Sequence, residues 1–221
     1  MLVSHRKLFI YLKTPKAAGT SVEIFFERYC KPEDQAESEQ EARPEQISAE
    51  GIVGYRGVGT GGSTWWNHMH PPQVRKLLGE EIWTRYFKFC VIRNPFDQLV
   101  SLWWMRGVGD DAAQAQADMA FARTAFCGWV LEQPRLWSAR HIYTIDGKLC
   151  VDATIRYENL VSDVSKICER LGVPADTDRL GRFKSGLRRR PEGYRAYYSR
   201  AARERVEREQ AEDLAMFGYQ F

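Results

Sequence analysis

Apolar residues recur along this chain in short blocks, and the period within each block predicts an element. Leu8-Phe9-Ile10-Tyr11-Leu12 is a continuous run of strand-favouring residues. The chain then turns through Pro15 into Ala17-Ala18-Gly19, and Val22 to Tyr29 has the spacing of an amphipathic helix. Pro71-Pro72 opens a second helix with Val74, Leu77 and Leu78 on its inner face, and Glu80 to Tyr86 adds a further turn or two. Phe87 to Arg93, FKFCVIR, is the second strong strand. Asn94 suits a helix N-cap and Pro95 a first turn, so a helix carrying Leu99, Val100, Leu102, Trp103 and Trp104 follows. Past a loop at Gly107 to Asp111, Ala112 to Leu131 predicts one long helix and Pro134 to His141 a short one. Ile142 to Val151 predicts a hairpin turning at Asp146-Gly147, and Ala153 to Tyr157 a strand. Leu160 to Leu171 reads as a helix stopped by Gly172 and Pro174. A basic, loop-like stretch precedes a charged helix over Ser199 to Leu214, and the aromatic ending FGYQF is expected to dock on the body.

Two stretches interrupt the pattern. Lys31 to Glu50 is acidic and nearly without large apolar residues, and Gly51 to Gly62 carries glycine at 51, 54, 57, 59, 61 and 62. Together, 31–63 is expected to be a mobile acidic and glycine-rich insertion in a single domain spanning 1–221, with the glycine loop as a candidate lid.

Composition narrows the class. With 221 residues, 44% of them hydrophobic, the chain can bury a sizeable core. A net charge of +3 is too mild to argue for nucleic acid. The cysteines at 30, 90, 127, 150 and 168 are scattered without a CxxC pair, which argues against a disulfide framework or zinc site and for reduced thiols. The start, MLVSHRKLFIYL, lacks a long apolar core and a small-residue cleavage site, and no run reaches the length of a membrane span. A cytoplasmic protein is expected, with peripheral membrane association and oligomeric state left open.

The candidate chemistry lies at two strand-to-helix junctions. A strand, a small-residue turn and a helix start make an anion site, because the first helical N–H groups are unpaired and small side chains let a phosphate approach. Lys16 adds charge there, and Thr20 and Ser21 add hydroxyls. At the second junction, VIRNPFDQLVS, Arg93 ends a buried strand and Ser101 lies on the second turn of the next helix. The two could converge on a phosphate. A structural pairing of Arg93 with Asp97 is the alternative.

Taken together, these motifs resemble the sulfotransferases that use 3′-phosphoadenosine-5′-phosphosulfate, and among them the carbohydrate branch, the bacterial relatives of heparan and chondroitin sulfotransferases. PKAAGTS, Pro15 to Ser21, resembles that family's 5′-phosphosulfate loop, and Arg93 to Ser101 its 3′-phosphate motif. The resemblance extends through NHMHPPQVRKLLGEEIWTRYFKF, through VDATIRYENL and through the closing YRAYYSRAARERVEREQAEDLAMFGY, and leaves out the insertion and the glycine loop. It implies an α/β fold: a P-loop-like domain with a central, mainly parallel β-sheet flanked by helices. It also implies that Lys16 stabilises the leaving group, that Ala18, Gly19, Thr20 and Ser21 hold the 5′-phosphate, and that Arg93 and Ser101 hold the 3′-phosphate. Tyr157 matches a tyrosine that approaches the adenine, with a packed core tyrosine as the alternative. Lys184 and Ser185 lie where the family has a loop closing over the nucleotide. By register His68 falls on the family's catalytic histidine. His70 stays the runner-up, because residues two apart on an extended segment point the same way. The acceptor implied is a carbohydrate or glycolipid hydroxyl, with Trp65 and Trp66 offering apolar faces to a sugar, and sulfuryl transfer requires no metal.

Two rival readings have distinct signatures. A P-loop kinase-like phosphotransferase predicts a lysine directly before Ser/Thr and a strand ending in Asp. Here the lysine precedes Gly19 by three residues and the strand ends in Arg93. A non-catalytic glycan-binding protein of the same fold would tolerate loss of Lys16 or His68, and both are present.

Overall fold

Most of the predicted blocks form elements in the computed structural model, which describes residues 1–35, 42–181 and 190–221. The chain begins with β1 (Leu2–Ser4), β2 (Phe9–Leu12) and α1 (Gly19–Glu27). A hairpin of β3 (Gln46–Ser48) and β4 (Gly51–Val53) follows. Then come α2 (Pro71–Leu78), α3 (Glu80–Arg85) and β5 (Phe87–Ile92). Three helices succeed β5: α4 (Pro95–Leu102), which runs on into a π-helical turn at Trp103–Gly107, then α5 (Ala112–Ala117) and α6 (Met119–Glu132). The chain continues through a small hairpin, β6 (Thr144–Ile145) and β7 (Lys148–Leu149), to β8 (Ala153–Arg156) and α7 (Leu160–Leu171), and closes with α8 (Arg200–Glu209) and α9 (Ala211–Phe217). Two compact units result, Met1–Ile92 with Ala139–Phe183, and Arg93–Ser138 with Lys184–Phe221.

The first unit holds a six-stranded sheet in the order β3-β4-β1-β2-β5-β8. It is mixed, not mainly parallel as expected. β2, β5 and β8 run parallel, while β1, β3 and β4 join by antiparallel pairing. The cause is connection length. Only a few residues separate β1 from β2 and β3 from β4, enough for a tight turn and far too few for a parallel crossover. Thus part of the 31–63 segment, expected to be mobile, supplies two strands of the sheet. Gly51 makes this possible: its φ is +155°, and a Cβ there would lie 2.1 Å from the Val3 carbonyl oxygen. Gly51→Ala is therefore expected to cost about 2–3 kcal/mol of stability, since neither backbone can give way. Urea denaturation measures this, and an unchanged midpoint would refute the pairing of β4 with β1.

One face of this sheet is covered by α1 and α7. Phe9, Tyr11, Phe89, Val91 and Ile155 pack with Val22, Phe25 and Phe26 of α1 and Val164, Ile167 and Cys168 of α7. The Phe26 ring meets Phe89 edge-on at 5.1 Å and Phe9 at 5.8 Å, so α1 is anchored on this face of the sheet.

The second unit has its own aromatic core, with Phe96, Trp103, Trp104, Phe126, Tyr197 and Tyr198 at its centre. Phe221 packs on Phe96 at 4.9 Å, so the aromatic ending docks in this unit. The predicted long helix over Ala112 to Leu131 is broken at Asp118, whose carboxylate caps α6 by accepting from the N–H groups of Ala120 and Phe121 at 2.8 and 3.3 Å. The helix predicted over Pro134 to His141 is confined to a 3-10 turn at Arg140–Ile142.

Candidate active site

The loop after β2 has the backbone that an anion site requires. Lys13 and Thr14 are buried as the chain leaves the sheet, and the Thr14 hydroxyl donates to the Val91 carbonyl, tying the loop to β5. Lys16 and Ala18 then take left-handed conformations, with φ of +60° and +55°. Each costs a non-glycine residue about 1–3 kcal/mol, a strain that clusters at functional sites. Alternation of this kind turns successive N–H groups to one side, as in anion-binding nests. α1 starts directly at Gly19, with Ala18 supplying no side-chain cap. Gly19 must be glycine for packing reasons, since a Cβ would lie 2.8 Å from the Thr14 carbonyl oxygen and 3.0 Å from Lys13 Cγ. Thr20 is partly exposed and Ser21 buried, both in the first turn of α1.

In the second unit, Asn94 caps α4 through a bond from the Phe96 N–H at 3.0 Å. The Arg93 Nε and Nη2 atoms contact Asp97 Oδ2 at 2.8 and 2.7 Å. The pairing that stood as the structural alternative is thus present, and it fixes the plane of the guanidinium. Ser101 is partly exposed near the end of α4.

The histidine segment departs from its expected geometry. His68 has φ +59°, so the backbone there is not extended, and His68 and His70 do not project alike. The His68 ring turns to Lys13, its Nδ1 lying 2.8 Å from the Lys13 carbonyl oxygen. A carbonyl can only accept, so Nδ1 carries the proton and Nε2 keeps its lone pair. The His68 pKa is pushed down to about 4, chiefly by burial and to a lesser degree by the Lys13 ammonium and the amino group of Met1, against the Lys13 hydrogen bond and Glu23. The imidazole is therefore neutral at ordinary pH. His70 is exposed at the start of α2, with its ring 4.8 Å from that of His141.

The remaining predicted residues divide. Trp65 is buried at 6% exposure, and a ring so enclosed offers no free face to a sugar, whereas Trp66 is partly exposed. Tyr157 is 37% exposed, at the start of a 3-10 turn after β8, so it is not a packed core tyrosine. Lys184 and Ser185 lie outside the described residues.

A buried ion cluster escaped the sequence reading. Glu23, fully buried on α1, meets Lys13 Nζ at 2.6 Å, Arg56 Nη1 at 3.1 Å and Arg43 Nη2 at 3.6 Å. Burial opposes its ionisation, but Lys13, the Met1 amino group, Arg43 and Arg56 outweigh it and hold the carboxyl well below the usual range. One signal was available: Lys13 and Glu23 are lone charges inside the apolar runs FIYLKTP and VEIFF, where a buried charge needs a partner.

Residues 1–220 match the model described as the sulfotransferase family, and the chain belongs to that family. An uncharacterized protein of Archaeoglobus fulgidus is 26% identical over 110 residues, covering 48% of this chain and 83% of that relative. No solved structure matches the chain at a significant level. Among the described residues, no helix is long and apolar enough to cross a membrane.

Proposed function

We propose that this sulfotransferase moves the sulfuryl group of 3′-phosphoadenosine-5′-phosphosulfate to a hydroxyl of a carbohydrate or glycolipid, by in-line displacement with His68 as general base. One observation carries the reading. The left-handed loop at Lys16 and Ala18 and the neutral imidazole of His68 are built on the same turn, the imidazole being held by the Lys13 carbonyl. An anion cradle and a base with an open nitrogen are the two things that sulfuryl transfer to an alcohol needs.

Lys16, the N–H groups of Ala18 and Gly19, and the hydroxyls of Thr20 and Ser21 suit the 5′-phosphosulfate, and Arg93 and Ser101 are assigned to the 3′-phosphate. The strand–loop–helix unit of β2 and α1, with β2, β5 and β8 in parallel, supports a P-loop-like origin for the site. Tyr157 is assigned to the adenine and Trp66 to the acceptor ring. His68 Nε2 takes the proton of the attacking hydroxyl, while Lys16 and the loop N–H groups stabilise charge on the departing phosphate. The sulfuryl group carries less charge than a phosphoryl group, so these cations and dipoles suffice without a metal. All five cysteines are free thiols, which suits a cytoplasmic setting.

Calorimetry tests the donor assignment. Adenosine 3′,5′-bisphosphate is expected to bind at least about tenfold tighter than ADP, a difference of about 1.4 kcal/mol, and Arg93→Ala should erase the preference. Equal affinities in the unaltered protein would sink the 3′-phosphate assignment, and tighter binding of ADP would favour the phosphotransferase. Labelled donor offered to a panel of saccharides, glycolipids and simple alcohols then identifies the acceptor class.

A further inference from the structure

We infer that Lys13, held by Glu23, positions His68, and that the buried ion cluster thereby couples the anion loop to the base. The inference rests on His68 being the base of the proposed reaction. Lys13 meets the histidine segment twice. Its carbonyl accepts from His68 Nδ1–H at 2.8 Å, and its Nζ lies 3.4 Å from Oδ1 of Asn67, the preceding residue. The same ammonium is clamped at 2.6 Å by Glu23, which lies one turn into α1, the helix whose first residues close the anion loop.

A second route joins the same two points. Arg56 reaches Glu23 at 3.1 Å, and Arg56 and Arg43 exchange backbone hydrogen bonds of 2.7 and 2.9 Å. Next to Arg56, the Tyr55 N–H donates to the Trp65 carbonyl at 2.7 Å and the Tyr55 carbonyl accepts from Asn67 at 2.8 Å. His68 is therefore tied to α1 by two routes, through Lys13 and through Tyr55, so that a tilt of that helix would be passed to the imidazole. Stability alone does not explain the cluster, because a buried ion pair stabilises a fold no better than apolar residues of the same volume. A methionine at position 13 would fill the space but would neither hold Asn67 nor place a positive charge beside the imidazole. The charged groups facing His68 are Lys13 from the loop before α1, Glu23 from α1 and the amino group of Met1 beside β1.

The test follows the His68 ring by imidazole nitrogen NMR in the full chain, alongside turnover. In the unaltered protein the ring should stay in the Nδ1–H tautomer through neutral pH. In Lys13→Met the His68 titration should move to higher pH, and kcat should fall by about 10- to 100-fold while adenosine 3′,5′-bisphosphate binds as before. Lys13→Arg, which keeps the charge, should restore most of the titration. If Lys13→Met does not fold, Asn67→Ala, at a partly exposed position, replaces it and should lower kcat with donor binding intact. An unchanged His68 titration and an unchanged kcat in whichever variant folds would overturn the inference. Failure of the base reading is seen separately, as full turnover in a variant lacking His68, and the NMR titration then still decides whether Lys13 positions the ring.

Discussion

Replacing Lys16 by methionine is expected to reduce kcat by about 10²–10³-fold, the usual loss when one preorganised donor to developing charge is removed. Lys16 lies in the loop between β2 and α1, at φ +60°, a conformation that a lysine holds only when its surroundings impose it. Methionine keeps the length and the backbone cost, so the change isolates the charge. In the proposed transfer, charge on the bridging oxygen grows as the sulfuryl group departs, and an ammonium there would be worth more in the transition state than in the bound donor. Turnover should therefore fall far more than donor affinity, and initial-rate kinetics combined with calorimetry separate the two. A loss confined to KM would make Lys16 a mere anchor and remove it from the catalytic step. Lys16→Gly relieves the left-handed strain and is expected to be at least as stable as the methionine variant, yet equally slow. A rate that followed stability instead would contradict the electrostatic account.

The sequence made some parts of this arrangement visible and hid others, and the difference is one of range. β2 and β5 are runs long and apolar enough to declare themselves, and Asp146-Gly147 declares its turn because both residues must adopt positive φ, here +50° and +74°. The end of α7 at Gly172 is similarly local. β1, β3 and β4 each have three residues, too few for a period, and exist because they find partners in the sheet. The turn that forms the candidate anion loop was legible because its residues are consecutive. The support behind it was not: Glu23 gathers Lys13, Arg43 and Arg56 from separate stretches of chain. The different settings of His68 and His70 were hidden for the same reason. They depend on one left-handed residue and one carbonyl acceptor, and an extended segment was the wrong template for both.

Removing the His68 imidazole is expected to slow turnover by about 10²–10⁴-fold, the range for loss of a positioned general base, whereas His70→Ala should leave the rate nearly intact. His68→Asn is the sharper variant. Asparagine tolerates a left-handed backbone and its amide can still donate to the Lys13 carbonyl, so the segment is kept while the basic nitrogen is lost. The pH profile gives an independent check. Only the neutral imidazole can accept a proton, so kcat/KM should be level across neutral pH and fall as the pH drops through about 4, the depressed value of His68. The same shift has a stability consequence of fixed sign. His68 in the unfolded chain binds its proton near 6.5 and in the folded chain near 4, so this contribution is whole above 6.5 and is lost as the pH falls through 4. Glycine at position 68 accepts φ +59° without strain and leaves a space where the ring was. Imidazole added to His68→Gly should restore part of the rate, in proportion to its neutral fraction. Rescue of a His70→Gly variant instead would transfer the proton-accepting role to His70.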